Sequence, residues 1–197
     1  MIKSTLLIIS LSLVSLWASL ARADDSESPQ FLMNEINQKG SAFVYENILI
    51  GVKWTTFLKK VESGESDWLQ VAAAIYPATD GGPAEDLSSS VGVALVSLPH
   101  NVLKIALPVM GAGSVCGYPD LGSPTYDTQE KTISYLNSRI SVIEELSGNE
   151  SWEAQEQCLK MLKKTKLEVL SPNGPFSSYP GSNTSLQPTS ALTRLLG

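Results

Sequence analysis

Apolar residues recur at intervals of three and four along nearly the whole chain from Phe31 onward, and strict period-two alternation is hard to find. This spacing constrains the fold more than any other feature. It gathers apolar side chains on one face of a helix, whereas a strand needs a period of two. Phe31, Leu32, Ile36, Phe43, Val44, Ile48, Leu49, Val52, Trp54, Phe57, Leu58 and Val61 form a continuous stripe over one or two helices, with Gly40 as a weak divider. Gly64 terminates that stretch, and Lys59 and Lys60 complement the negative end of the helix dipole.

Further along, Asp67 is placed to cap a short helix bearing Trp68, Leu69, Val71, Ala72 and Ile75, which stops before Pro77. Thr79-Asp80-Gly81-Gly82-Pro83 reads as a turn with Pro83 at the first helical position. A helix from Ala84 to Ser97 follows, buried along Leu87, Val91, Ala94 and Leu95. Pro99 opens another through Val102, Leu103, Ile105 and Ala106, ending before Pro108. Gly111 to Tyr126 reads as a Gly- and Pro-rich loop carrying Cys116. Asp127 with Glu130 resembles a capping box opening a helix to Leu146, with Ile133, Leu136, Ile140, Ile143 and Leu146 inward. The last helix starts at Asn149 or Ser151 and bears Trp152, Cys158, Leu159, Leu162 and Leu167. Six or seven helices with short connections predict an all-α domain. Antiparallel pairs of this length stack either as HEAT-like repeats or as an irregular bundle, and no clean sequence period selects between them.

The ends of the chain differ from this middle. Residues 1–23 combine Lys3, an apolar run from Leu6 to Leu20 and the small-x-small site Ala21-Arg22-Ala23, ahead of the acidic Asp24-Asp25-Ser26-Glu27. That order is an export signal, expected to be cleaved after Ala23. A permanent anchor would need about 20 predominantly apolar residues, and Ser10, Ser12, Ser15 and Ser19 interrupt this run. No cysteine precedes Cys116 to accept a lipid. The expectation is a periplasmic or secreted protein with no stable membrane insertion after cleavage. Residues 24–170 then form a single helical domain. Residues 171–197 are too poor in large apolar side chains to build a core and read as a disordered Pro/Ser/Gly-rich tail.

Export changes how the two cysteines read. Cys116 and Cys158 are an even pair in an oxidising compartment and are expected to form a disulfide. A metal site would need further Cys or His at short spacing, and His100 is the only histidine; no metal and no cofactor are expected. Loss of Lys3 and Arg22 moves the formal charge from −6 to −8. Such a surface disfavours nucleic acid and anionic lipid and tolerates or attracts a basic partner.

Candidate chemistry is thin. His100 is the one conventional general base near neutral pH, but Leu98-Pro99-His100-Asn101 carries no nucleophile, and no Gly-x-Ser-x-Gly elbow occurs. Gly111-Ala112-Gly113-Ser114 lacks the Lys-Ser/Thr ending of a phosphate loop. The acidic pairs Glu85/Asp86, Glu144/Glu145 and Glu153/Glu156 read as solvated helix faces. Asp80 with Glu85 and Asp86 lacks the regular calcium-loop spacing. Asn149-Glu150-Ser151 and Asn183-Thr184-Ser185 match the glycosylation acceptor pattern. Trp54, Trp68 and Trp152 fit core packing in amphipathic helices, and Tyr76, Tyr118 and Tyr126 lie near turns.

The series Gly40, the Trp54 helix, Ser63-Gly64-Glu65-Ser66-Asp67-Trp68-Leu69, Thr79-Asp80-Gly81-Gly82, Pro99-His100-Asn101-Val102-Leu103 and Cys116 resembles a loosely defined group of exported bacterial proteins with no established activity. The likeness spans Phe31 to Lys164, and its most specific elements are the Gly-x-x-x-Trp-Leu step and the paired cysteines. The resemblance implies a bacterial periplasmic, helical, HEAT-like domain and carries over no catalytic residue. Together these readings predict a non-enzymatic periplasmic binding or protein-interaction domain with an extracytoplasmic protein partner. A narrower version is an immunity protein or inhibitor of a secreted toxin or hydrolase. The rival class is a small hydrolase using His100 or a carboxylate pair.

Overall fold

The computed structural model describes residues 28–177 apart from 118, 120, 122 and 147–151. The expected signal and its cleavage site, both glycosylation motifs, Tyr118 and residues 178–197 lie outside that set. The described residues are all-α, with no strand. The elements are α1 (Pro29–Lys39), α2 (Ser41–Asn47), α3 (Val52–Val61), α4 (Ser66–Ile75), a 3₁₀ turn (Tyr76–Ala78), α5 (Gly81–Ser97), α6 (Pro99–Asn101), a π-helical turn (Val102–Ala106), α7 (Leu107–Cys116), α8 (Gln129–Glu144) and α9 (Trp152–Leu170). With 99–116 taken as one kinked segment there are eight helices among the described residues, one more than the upper expectation. The extra one arises because the stripe from Phe31 to Val61 is cut twice. Gly40 cuts it as expected, and Gly51 cuts it again where the backbone turns through φ +59°.

Two helices organise the core. In α4, Leu69, Val71, Ala72, Ala73 and Ile75 are all buried, so this helix is apolar on nearly every side, as a helix surrounded by others must be. It touches α1, α2, α3 and the π-helical turn. The second hub is α5, buried along Leu87, Val91, Ala94 and Leu95 as the periodicity predicts. It packs against α3, α6, α7, α8 and the π-helical turn. The core is continuous from Leu32 and Val44 through these hubs to Leu136, Ile143, Leu162 and Val169. No described helix is long and apolar enough to cross a membrane.

Several local readings need correction, each for a physical reason. Asp67 is not a cap: α4 begins at Ser66 after Glu65, and the Asp67 carboxylate accepts from Gln30 Nε2 at 2.9 Å. The cap of α8 is Thr128, whose hydroxyl accepts the Lys131 N–H at 3.3 Å. Asp127 instead holds the Lys131 ammonium at 2.7 Å. Helix α5 starts at Gly81, so Pro83 sits inside the first turn.

Pro108 does not end its helix. A proline lacks an N–H and its ring crowds the carbonyl four residues back. The π-helical turn just before it, in which the Leu107 N–H reaches back to the Val102 carbonyl, widens the backbone there and lets the chain stay helical. The expected loop from Gly111 is also largely helical: Gly111 breaks the helix at φ +79°, and helical backbone resumes as far as Cys116.

The tail boundary also moves. Turns at 171–177 fold back on α9, and Phe176, 6% exposed, joins the core. Composition hid this, because a single aromatic among Ser, Pro and Gly is enough to dock a chain end.

Candidate functional site

Pro77 stops α4 and forces the 3₁₀ turn that carries Tyr76. The Thr79 hydroxyl closes this turn onto the Tyr76 carbonyl at 2.8 Å. Across from it, the Tyr76 hydroxyl and Ser114 Oγ lie 2.8 Å apart and share a hydrogen bond, tying the turn to α7. The first turns of α5 pass between, and Ala84, Glu85, Ser88 and Ser89 recur on one face at helical spacing. Together these elements enclose a groove of about 470 Å³, open to solvent on one side. Pro119 and Leu121 from the loop after α7 complete its rim, and Gly113 lies beside Ser114 in its lining. That volume falls within the usual range for small-ligand sites.

The chemistry of the groove follows from its side chains. Glu85 is the one charged group among the described lining residues. Four hydroxyls, from Tyr76, Ser88, Ser89 and Ser114, supply both donors and acceptors. Gly113 matters by what it leaves open: a Cβ built there meets no atom within 4 Å.

A second polar constellation is centred on a buried guanidinium. Arg139 of α8, 4% exposed, donates from Nε and Nη2 to the Gly92 carbonyl of α5 and from Nη1 to the Tyr135 carbonyl. Its guanidinium stacks 3.2 Å from the centroid of the Tyr135 ring, which meets Tyr126 edge-on at 4.8 Å. Burial pulls Arg139 down from its ordinary pKa, partly opposed by Tyr135 and Tyr126. Burial likewise raises Tyr135, against the lowering effect of the Arg139 charge. With carbonyls and ring faces for partners, this largely buried cluster joins α5 to α8.

The residues singled out from sequence distribute as follows. Cys116 ends α7 and Cys158 sits in the second turn of α9; they form a disulfide with Cα atoms 5.4 Å apart. Cys116 thus comes from a helix end, not from the expected loop. His100 is exposed on the one-turn α6 and does not line the groove. Gly113 and Ser114 of the rejected phosphate-loop motif do line it, as helical residues. Of the acidic pairs, Glu85 faces the groove while Asp86 accepts from Trp54 Nε1 at 3.3 Å. Glu144 pairs with Lys163 at 2.7 Å, and Glu153 and Glu156 lie exposed on α9. No group of three metal-capable side chains occurs among the described residues.

Trp54 and Trp68 flank Phe57 at 5.6 and 6.3 Å in a partly buried aromatic row that Tyr45 extends. Trp152 departs from the expected core role, being 65% exposed. The sequence reading missed Ser88 and Ser89, which look like neutral spacers in a Ser-rich helix, and Arg139, which reads as an ordinary surface cation. The one available signal for Arg139 was its place three residues after Leu136 and four before Ile143, within the apolar stripe. No family model matches the chain, and no curated protein or solved structure is similar to it.

Proposed function

We propose that this chain is a non-catalytic binding protein of an oxidising extracytoplasmic compartment, periplasmic or secreted, and that the groove between Tyr76, α5 and α7 is its binding site. The observation that carries this reading is the composition of the groove's described lining: hydroxyls and the Glu85 carboxylate on a helical frame, with neither His100 nor a cysteine among those residues. A hydrolytic site needs a base within hydrogen-bond reach of a nucleophile or water, whereas Ser114, the lining serine held by a described hydrogen bond, is tied to Tyr76 and not to the Glu85 carboxylate. A recognition site needs only complementary polar groups held rigidly, which the Tyr76–Ser114 bond and the disulfide beyond it supply. The Cys116–Cys158 bond supports the compartment, since such bonds persist where thiols are not kept reduced. The amino-terminal 23 residues, read as a signal, support export.

The test is a fragment screen on the oxidised protein, read by amide chemical shifts. Hits should map to Ser88, Ser89 and Ser114 and should be lost in Gly113→Leu, which adds a side chain where a Cβ meets no atom within 4 Å. Hits that map elsewhere and survive that substitution would overturn the groove as the site. Turnover of general hydrolase substrates that His100→Ala abolishes would overturn the non-catalytic reading.

A further inference from the structure

Resting on the groove as the binding site, the geometry points to its ligand: the cationic end of a lysine or arginine side chain presented by a peptide or protein partner. Three properties of the lining select this chemistry. Glu85 supplies a carboxylate, which only accepts hydrogen bonds. Tyr76 and Ser114 spend one of their two protons on each other, so the pair offers more lone pairs than hydrogens. Acceptors thus dominate, and an ammonium with three donors or a guanidinium with five is the complementary group. Next, Ala84, Pro119 and Leu121 add apolar surface to the same lining. A Lys or Arg side chain has the matching form, a hydrocarbon stem ending in a charge. Finally, no Lys, Arg or His is among the described lining residues, so an anion would meet Glu85 without compensation.

The formal charge of −6 on the whole chain steers the same class of partner from a distance. The groove opens to solvent on one side, which suits a side chain projecting from a polymer.

The experiment titrates the full oxidised chain, at low and moderate salt, with acetyl-Gly-Lys-Gly-amide, its glutamate counterpart and butylamine, following amide chemical shifts. The lysine peptide should move Glu85, Ser88, Ser89 and Ser114 and bind at least about fivefold more weakly to Glu85→Gln. It should also weaken severalfold as salt rises, because an exposed charge pair is screened. The glutamate peptide should leave these signals in place. An equal response to the glutamate peptide, an undiminished affinity in Glu85→Gln, or no response to the lysine peptide overturns the cation assignment, while fragment hits lost in Gly113→Leu would still hold the groove as a site. Shifts by the lysine peptide that persist in Gly113→Leu overturn both. Butylamine binding as tightly as the peptide overturns the peptide source and assigns a free amine instead.

Discussion

Arg139 Nε and Nη2 both donate to the Gly92 carbonyl, at 3.0 and 2.7 Å, so one buried guanidinium clamps α8 onto α5. The fork shape of the group is what permits two bonds to one oxygen and a third, at 3.2 Å, to the Tyr135 carbonyl. Arg139→Lys should therefore not act as a conservative change: it keeps a buried charge and loses the fork. We expect Arg139→Lys and Arg139→Ala each to cost about 3 kcal/mol, the first through an under-bonded ion and the second through a cavity. Arg139→Met, which removes the charge and keeps most of the volume, should cost about 1 kcal/mol. Urea unfolding of the three variants checks the order. Lysine proving the mildest would disprove the clamp.

Tyr135 makes the stability of this clamp depend on alkaline pH. Burial raises its folded pKa above the ordinary value of 10.0. Above pH 10 the unfolded state loses the phenolic proton first, the folded state holds more protons, and stability falls as pH rises. Arg139 is displaced the other way, downward from its ordinary value by burial, so its contribution grows with pH and opposes that of Tyr135 as its own folded pKa is approached. Tyr135→Phe should flatten the decline in the urea midpoint that begins near pH 10 and leave the neutral-to-pH 9 region level. An unchanged alkaline slope would show that another group sets it.

The disulfide closes a loop whose ends are 42 residues apart in sequence, joining the end of α7 to α9. In the chain-entropy account a loop of this length contributes about 4 kcal/mol by restricting the unfolded chain. Replacing both cysteines by alanine should lower stability by about that amount, and reductant should destabilise the native protein but not the double variant. Both sulfurs are buried in the core, so reduction should be slow in native conditions and speed up in urea concentrations that populate the unfolded chain.

Gly64 and Gly81 separate backbone strain from crowding. Both have positive φ, +75° and +50°, but a Cβ at Gly64 would lie 2.9 Å from Leu98 Cβ, whereas one at Gly81 meets nothing within 4 Å. Gly81→Ala should cost about 1 kcal/mol, the left-handed penalty alone. Gly64→Ala should cost about 2 kcal/mol or more, since it also forces apart the α3–α4 turn and the α5–α6 turn that Asn101 bridges to the Gly64 carbonyl. Equal losses in thermal unfolding would mean that Leu98 yields without cost.

Apolar spacing settled that this chain is helical, and the stripe of α5 is legible in Leu87, Val91, Ala94 and Leu95 with no structure in hand. It did so because a period near 3.6 is a one-dimensional property that survives in any tertiary setting. The cysteine pair was legible for a similar reason: two thiols in an oxidising compartment have one intramolecular pairing. Cap identities were less secure, because Asp67 and Asp127 each found a side-chain partner, Gln30 and Lys131, in place of the helix end next to them.

What only the tertiary structure decided are the features that depend on segments far apart in sequence. Helix α7 continues through Pro108 because the π-helical turn relieves the proline. Phe176 belongs to the core because turns carry it back to α9. Tyr76 meets Ser114 across 38 residues and Arg139 meets Gly92 across 47, and neither pairing leaves a trace in local composition. A polar side chain inside a helix reads as solvated until a distant carbonyl or hydroxyl is brought to it. For that reason the helices were written in the sequence, while the groove and the clamp exist only once the helices are packed.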